Sequence, residues 1–144
     1  MTPPFRIRAL GEIAIRCDDL ARMAAFYGEM LGLQRLEGNA APGIIFFRIA
    51  EGFGGHTQVL ALFDKTMGAG PDAPRPTTGA GSALHHIALT VPFHEQEAVM
   101  AWYDEHDQPY RIENFGWVGW RGIFTTDPEG NTVELVAYDD SLKT

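Results

Sequence analysis

The chain has 144 residues, 45% hydrophobic and 21% charged, the make-up of a globular protein able to bury roughly 70% of its unfolded surface without a disulfide or structural metal. With 11 Lys and Arg against 19 Asp and Glu the formal net charge is −8, so a phosphate backbone is repelled at long range and nucleic acid is excluded as a partner. The single cysteine, Cys17, allows neither an internal disulfide nor a zinc ribbon, and residues 1–10 hold no apolar run fit for a signal peptide or membrane span; the expected compartment is the cytoplasm, with no membrane partner.

In chain order, residues 12–17 alternate, with Ile13, Ile15 and Cys17 on one face, which predicts a half-buried strand. Asp18 and Asp19 can cap the helix that follows. Its apolar positions, Leu20, Met23, Ala24, Tyr27, Met30 and Leu31, recur at helical spacing until Gly32 stops it. Residues 44–49 and 56–63 are β-branched, aromatic and apolar runs, read as strands around a turn at Gly52, Gly54 and Gly55. Residues 64–83 contain Gly68, Gly70, Pro71, Pro74, Pro76, Gly79 and Gly81 and read as a linker. A strand at 86–91 then precedes a helix at 92–106 with Phe93, Met100 and Tyr103 on one side, which Pro109 cannot continue. The last two strands, 121–126 and 132–138, flank Asp127-Pro128-Glu129-Gly130-Asn131, where Pro opens the turn and Gly supplies a positive φ.

The halves repeat each other. Glu12-Ile13-Ala14-Ile15 recurs as His86-Ile87-Ala88-Leu89 at an offset of 74, and the closing strands, starting from Gln58 and Glu134, align at an offset of 76. One domain built of two strand-helix-three-strand units, 11–63 and 84–138 about the 64–83 linker, is therefore expected. This duplication, the Asp-Pro-Glu-Gly-Asn-Thr-Val-Glu-Leu ending, and Asp19-Leu20 with Phe26-Tyr27 in the first helix resemble the vicinal oxygen chelate superfamily. Glyoxalase I, extradiol dioxygenases, fosfomycin-resistance enzymes and bleomycin-binding proteins belong to it. The resemblance covers residues 11–138 and implies an α+β fold in which two tandem βαβββ units form a cup-shaped mixed sheet with helices outside.

Strand alternation indicates which polar residues would face that cup. If Ile13 and Ile15 pack on the helix, Glu12 and Arg16 face the other way, and Ile87 and Leu89 likewise leave His86. Taking Val133, Leu135 and Ala137 as the helix side leaves Glu134; taking Val59, Ala61 and Phe63 so leaves His56 and Gln58. Glu12, Gln58, His86 and Glu134 thus occupy the four places where the superfamily has its metal site, with His56 the substitute for Gln58. Their oxygens and single imidazole suit Zn, Ni, Mn or Fe(II). His85 is expected to point to the opposite side in a structural role, and His94 and His106 to be solvated.

The resemblance also bears on the chemistry. Extradiol dioxygenases use two histidines and a carboxylate, and a tyrosine ten residues before the glutamate; here those places hold Glu12 and Phe124. The set looks more like that of glyoxalase I, a lyase in which the metal polarises two vicinal oxygens and a metal-associated glutamate moves a proton. Glu134 would be that base, with Glu12 the second catalytic glutamate. Arg16 matches an arginine used for a carboxylate of glutathione, a possible co-substrate, although Leu62 replaces an Asn of that family. Phe115, Trp117, Trp120 and Phe124 around Arg121 would line the pocket, with Gly116, Gly119 and Gly122 bending the segment over the cup. Arg16, His56, Trp120, Arg121 and Phe124 are the expected contacts to a small-molecule substrate. A dioxygenase acting on a catechol-like substrate and a metal-free binding protein of the bleomycin-resistance kind stay open as alternatives. A homodimer is expected, to cover apolar edges such as residues 44–47.

Overall fold

The computed structural model describes residues 2–37, 42–67 and 77–144. The chain divides into two compact units, Met1–Pro76 and Thr77–Thr144. Residues 68–76 of the expected linker lie outside the described residues.

In the first unit, β1 (Glu12–Cys17) is followed by α1 (Leu20–Ala25), then β2 (Gln34–Arg35), β3 (Ile44–Phe53) and β4 (His56–Asp64). The sheet order is β1-β4-β3-β2, with β1 parallel to β4 and the other pairs antiparallel. Asp19 caps α1 by accepting from the Arg22 N–H at 3.1 Å. The helix expected to run to Leu31 is α-helical for six residues only. Residues Phe26–Met30 widen into a π turn, in which the Leu31 N–H reaches the Phe26 carbonyl at 3.0 Å. That wider turn buries the neighbours Phe26 and Tyr27 together, with Met23 one turn earlier. α1 packs on β4, and Gly28 brings the backbone so close to the Phe47 ring that a Cβ there would stand 3.1 Å from it.

β3 also runs beyond its expected end at Ile49, through Gly52, because it pairs with β4 around two irregularities, between Arg48 and Ala50 and between Ala50 and Phe53. Gly52 has φ +77, and a Cβ there would collide with the His56 carbonyl oxygen, so a residue that reads as a turn is a bulge inside a hairpin. β2 pairs with Phe47 and Arg48 of β3, and the Leu36 N–H reaches the Phe46 carbonyl, so Phe46 and Phe47 at least are covered within the unit.

The second unit repeats the topology with β5 (Ile87–Thr90), a 3₁₀ turn at Phe93–Glu95 leading into α2 (Gln96–Glu105), β6 (Arg111–Phe115), β7 (Trp120–Thr126) and β8 (Thr132–Tyr138), in the order β5-β8-β7-β6. The chain is thus α+β, two tandem βαβββ units that form two open four-stranded mixed sheets. The β7–β8 turn is closed by Asp127, whose carboxylate accepts from the Glu129 and Asn131 N–H groups at 2.9 and 3.0 Å while Gly130 takes φ +89. Residues 114–121, expected to arch over the site, instead form the end of the β6–β7 hairpin.

Gln96, an unforeseen core residue, ties α2 to its sheet. Its amide donates to the Arg121 carbonyl at 2.8 Å and the Leu135 carbonyl at 3.2 Å, and its oxygen accepts from Arg121 Nε at 2.7 Å. Among the described residues no helix is long and apolar enough to cross a membrane.

Candidate functional site

Strand register decides which side chains of the second unit share a face. Ile87, Val133, Leu135 and Ile123 form the side that Gln96 closes. The opposite side carries one row across all four strands, Arg111, Phe124, Glu134 and Ala88, and beside it a second row with Gly122, Val136 and Thr90. Trp120 and Tyr138 pair farther along. An open pocket of about 460 Å³ lies here, with His86, Ala88, Thr90, Trp120, Glu134, Val136 and Tyr138 in its lining.

Glu134 is the buried charged group of this pocket, 6% exposed. Its Oε2 lies 3.2 Å from His86 Nε2, and the His86 ring lies 5.9 Å from that of Phe124. Space for the carboxylate comes from Gly122, where a Cβ would collide with Glu134 Oε1 and the Phe124 ring. Burial raises the Glu134 pKa above the usual carboxylate range; the charge and hydrogen bond of His86 oppose this, Glu113 reinforces it and Arg111 opposes it. Arg111 stacks its guanidinium 4.4 Å above the Phe124 ring and pairs with Glu113. A carboxylate of raised basicity, an imidazole and a guanidinium thus share one sheet face, suited to proton transfer on a small polar molecule.

The first unit is arranged differently. Its helix-side set is Ile13, Ile15, Leu60, Leu62 and Phe47, since Ile13 pairs with Leu60, Ile15 with Leu62 and Phe47 with Leu60. The assignment of Val59, Ala61 and Phe63 to the helix side is therefore reversed. Gln58, and His56 two residues before it, fall on the face opposite to Glu12. His56 accordingly lies against Gly11, where a Cβ would stand 3.3 Å from its ring. Neither belongs with Glu12 in a ligand set. Just as Ala88 pairs with Glu134, Ala14 pairs with Ala61, so the closing strands correspond at an offset of 73 rather than 76 and the counterpart of Glu134 is an alanine. Glu12 is exposed at the start of β1. Arg16 lines a separate pocket of about 290 Å³ with Ala14, Ile15, Phe63 and Met67.

Of the other expected contacts, Phe124 and Trp120 share the Glu134 face, but Arg121 does not. It lies on the helix side, bound to Gln96, 3.6 Å from Glu97 and 4.6 Å from the Phe93 ring centroid, and so serves the packing of α2. Trp117, at the tip of its hairpin, is 80% exposed. His106 bonds the Trp102 carbonyl at 2.9 Å. His85 does not point away from His86: their Nδ1 atoms are 2.8 Å apart, because β5 begins only at Ile87 and alternation has no hold on the two histidines. Of the expected ligands the structure brings together His86 and Glu134. Among the described residues no group of three or more His, Cys, Asp or Glu side chains is arranged to hold a metal ion. Arg111, Gly122 and His85 were not among the expected functional residues. The Gly122 spacing opposite a buried glutamate was the available clue.

Residues 9–135 match the family model of the glyoxalase/bleomycin resistance protein/dioxygenase superfamily. The chain belongs to this superfamily. Among solved structures, a glyoxalase/dioxygenase from Nostoc punctiforme is similar with a TM-score of 0.70 and 19% identity over 97% of each chain. A lactoylglutathione lyase from Agrobacterium tumefaciens is 27% identical over 94% of this chain and 95% of its own, with a TM-score of 0.63. A glyoxalase/bleomycin resistance protein/dioxygenase from Nocardioides is 18% identical over 94% and 87%, with a TM-score of 0.64. No curated protein sequence matches the chain significantly.

Proposed function

We propose that this protein is a metal-dependent enzyme of the glyoxalase type, a lyase or isomerase that moves a proton on a small substrate with vicinal oxygens, and that Glu134 is both ligand and base. The observation that carries this reading is the buried Glu134 carboxylate held 3.2 Å from His86 Nε2 at the wall of an open pocket. The similarity to a lactoylglutathione lyase at 27% identity adds support.

A divalent ion, common in this superfamily, fits the donor chemistry of the pair. Two donors of one ion with bonds of about 2.0–2.2 Å stand roughly 3 Å apart. An imidazole nitrogen and a carboxylate oxygen at 3.2 Å meet that spacing. His86 and Glu134 would hold the ion. When bound it would supply Lewis-acid polarisation of the substrate oxygens. Glu134 would take the proton from the hydroxyl-bearing carbon and return it to the neighbouring carbonyl carbon, while the hydroxyl proton passes to the former carbonyl oxygen, so that the isomerisation balances with no outside oxidant. Burial raises the basicity this step needs. Phe124 and Trp120 offer ring faces to the substrate and limit the water around the carboxylate.

The test is a panel of glutathione hemithioacetals, other vicinal-oxygen compounds and catechols, assayed with Zn, Ni, Mn and Fe(II) in turn. Glutathione belongs in the panel because Arg16 offers a guanidinium for a carboxylate. Glu134→Gln should retain an oxygen donor while losing about 10²–10⁴-fold in turnover, and His86→Ala should lose the metal. A Glu134→Gln variant as active as the parent overturns the assignment of the base. Catechol cleavage with Fe(II) as the sole activity replaces the lyase reading with a dioxygenase, and drug binding without metal or turnover replaces it with a binding protein. We also propose a homodimer, supported now by the edge strand β6, which leaves Ile112 44% exposed. Sedimentation as a 15.9 kDa monomer at micromolar concentration would overturn it.

A further inference from the structure

We infer that His85 is a positioning residue for His86: by holding His86 Nδ1 it decides whether the Nε2 of that ring presents its proton to Glu134 or its lone pair to a divalent ion. The inference rests on the proposed metal reading and extends it to a residue outside the donor pair. Three observations carry it. His85 Nδ1 is 2.8 Å from His86 Nδ1, His86 Nε2 is 3.2 Å from Glu134 Oε2, and His85 is exposed while Glu134 is buried.

A neutral imidazole has one N–H and one lone pair, so a bond made at one nitrogen determines what the other can offer. With no ion, the carboxylate asks His86 Nε2 for a proton. His86 Nδ1 is then a lone pair, and His85 Nδ1–H donates to it. With an ion, His86 Nε2 must offer its lone pair, so His86 Nδ1 carries the proton and donates to His85 Nδ1. The partner at this place must therefore donate in one state and accept in the other. His85 does so by changing tautomer, and because its ring is exposed its remaining nitrogen finds water in both states. A backbone carbonyl, the commoner support of a ligating histidine, would favour the second state alone. In the first unit the residue preceding Glu12 is Gly11, which has no side chain to play this part.

The experiment compares the parent, His85→Ala and His85→Asn, each purified without a histidine tag. Side-chain ¹⁵N spectra at one fixed, mildly alkaline pH read the His86 tautomer with and without zinc, and zinc affinity is measured by competition with a chelator. His85→Ala should change the tautomer populations of His86 in the zinc-free chain and weaken zinc binding by about 10–100-fold. His85→Asn, whose amide can rotate to donate or accept, should restore affinity to within about three-fold of the parent while the melting temperature stays the same in all three. Unchanged His86 spectra and a zinc affinity within about two-fold in His85→Ala overturn the inference. If His85→Ala shifts the His86 tautomer but the parent binds no zinc, the metal reading fails and the hold of His85 on His86 stands. If the parent binds zinc and His85→Ala changes nothing, the metal reading stands and the role of His85 fails.

Discussion

The two units share a fold and differ in what they place on the face away from the helix. In the second, one row reads Arg111, Phe124, Glu134 and Ala88. In the first, the corresponding row reads Leu36, Phe46, Ala61 and Ala14, Leu36 continuing the pairing of β2 through an N–H to the Phe46 carbonyl at 2.8 Å. The next pair is Gly122 and Val136 in one unit and Ile44 and Phe63 in the other. A buried carboxylate thus goes with a glycine, and a buried alanine with an isoleucine. The packed volume is shared out differently, as close packing requires when a small position becomes large. A duplicated fold can therefore keep its strands and change its chemistry only through coupled substitutions.

The largest expected effect comes from imposing the second pattern on the first unit. Ala61 is fully buried, so Ala61→Glu forces a carboxylate into a packed position facing Ile44 rather than a glycine and should cost about 3–5 kcal/mol in denaturant unfolding. A cost below about 1 kcal/mol would mean that the first unit accommodates a carboxylate, and the comparison would break.

The reverse change, Gly122→Ala, should cost about 1–2 kcal/mol in stability, because the end of Glu134 and the buried Phe124 ring both stand in its way and must shift. It should cost far more in turnover, about 10²-fold, since a carboxylate displaced by an ångström no longer meets its proton. Equal losses in stability and turnover would argue against Gly122 as the seat of the carboxylate.

Glu134→Gln provides a sharper measure through pH. Burial holds the Glu134 pKa up, so the folded chain prefers the neutral acid. The stability this contributes is complete below the ordinary carboxylate value and is lost as pH rises through the raised one. In chelator-treated protein the Gln variant should therefore melt higher than the parent at neutral pH, and the gap should close as the pH falls to about 4. A gap that persists in acid would assign the effect to packing rather than charge.

The smallest effect lies on the helix side of the second unit. Tyr103 is 1% exposed, its hydroxyl has no hydrogen-bond partner among the described residues, and burial raises its pKa to about 12. Tyr103→Phe should stabilise by about 1 kcal/mol, the cost of an unmet hydroxyl. The parent should lose more stability than the variant as pH rises from about 10, where the unfolded phenol ionises, toward 12. No gain in melting temperature would point to a buried water on the hydroxyl.

Much of this was written in the residue pattern. Strong alternation in residues 12–17, with charge on one side and β-branched chains on the other, set the face of β1. The Asp-Pro-Glu-Gly-Asn turn set the β7–β8 hairpin, because Pro and Gly there admit few backbone conformations. The duplication determined the topology, and Glu134 stood out as an acid between apolar neighbours.

Tertiary structure alone decided the face of β4. Val59 to Phe63 is apolar at every position, so both alternations fit it and only the hydrogen-bonded register against β1 and β3 separates Gln58 from Glu12. The same holds for Arg121, whose charge suggests a substrate but whose partner is an amide on a helix 25 residues earlier. His85 escaped a period-two reading because regular strand geometry starts after it. Local sequence determines which elements form, since propensity, capping and turns act over a few residues. Which face a fully apolar strand presents, and which polar group a buried charge meets, depends on contacts between distant residues.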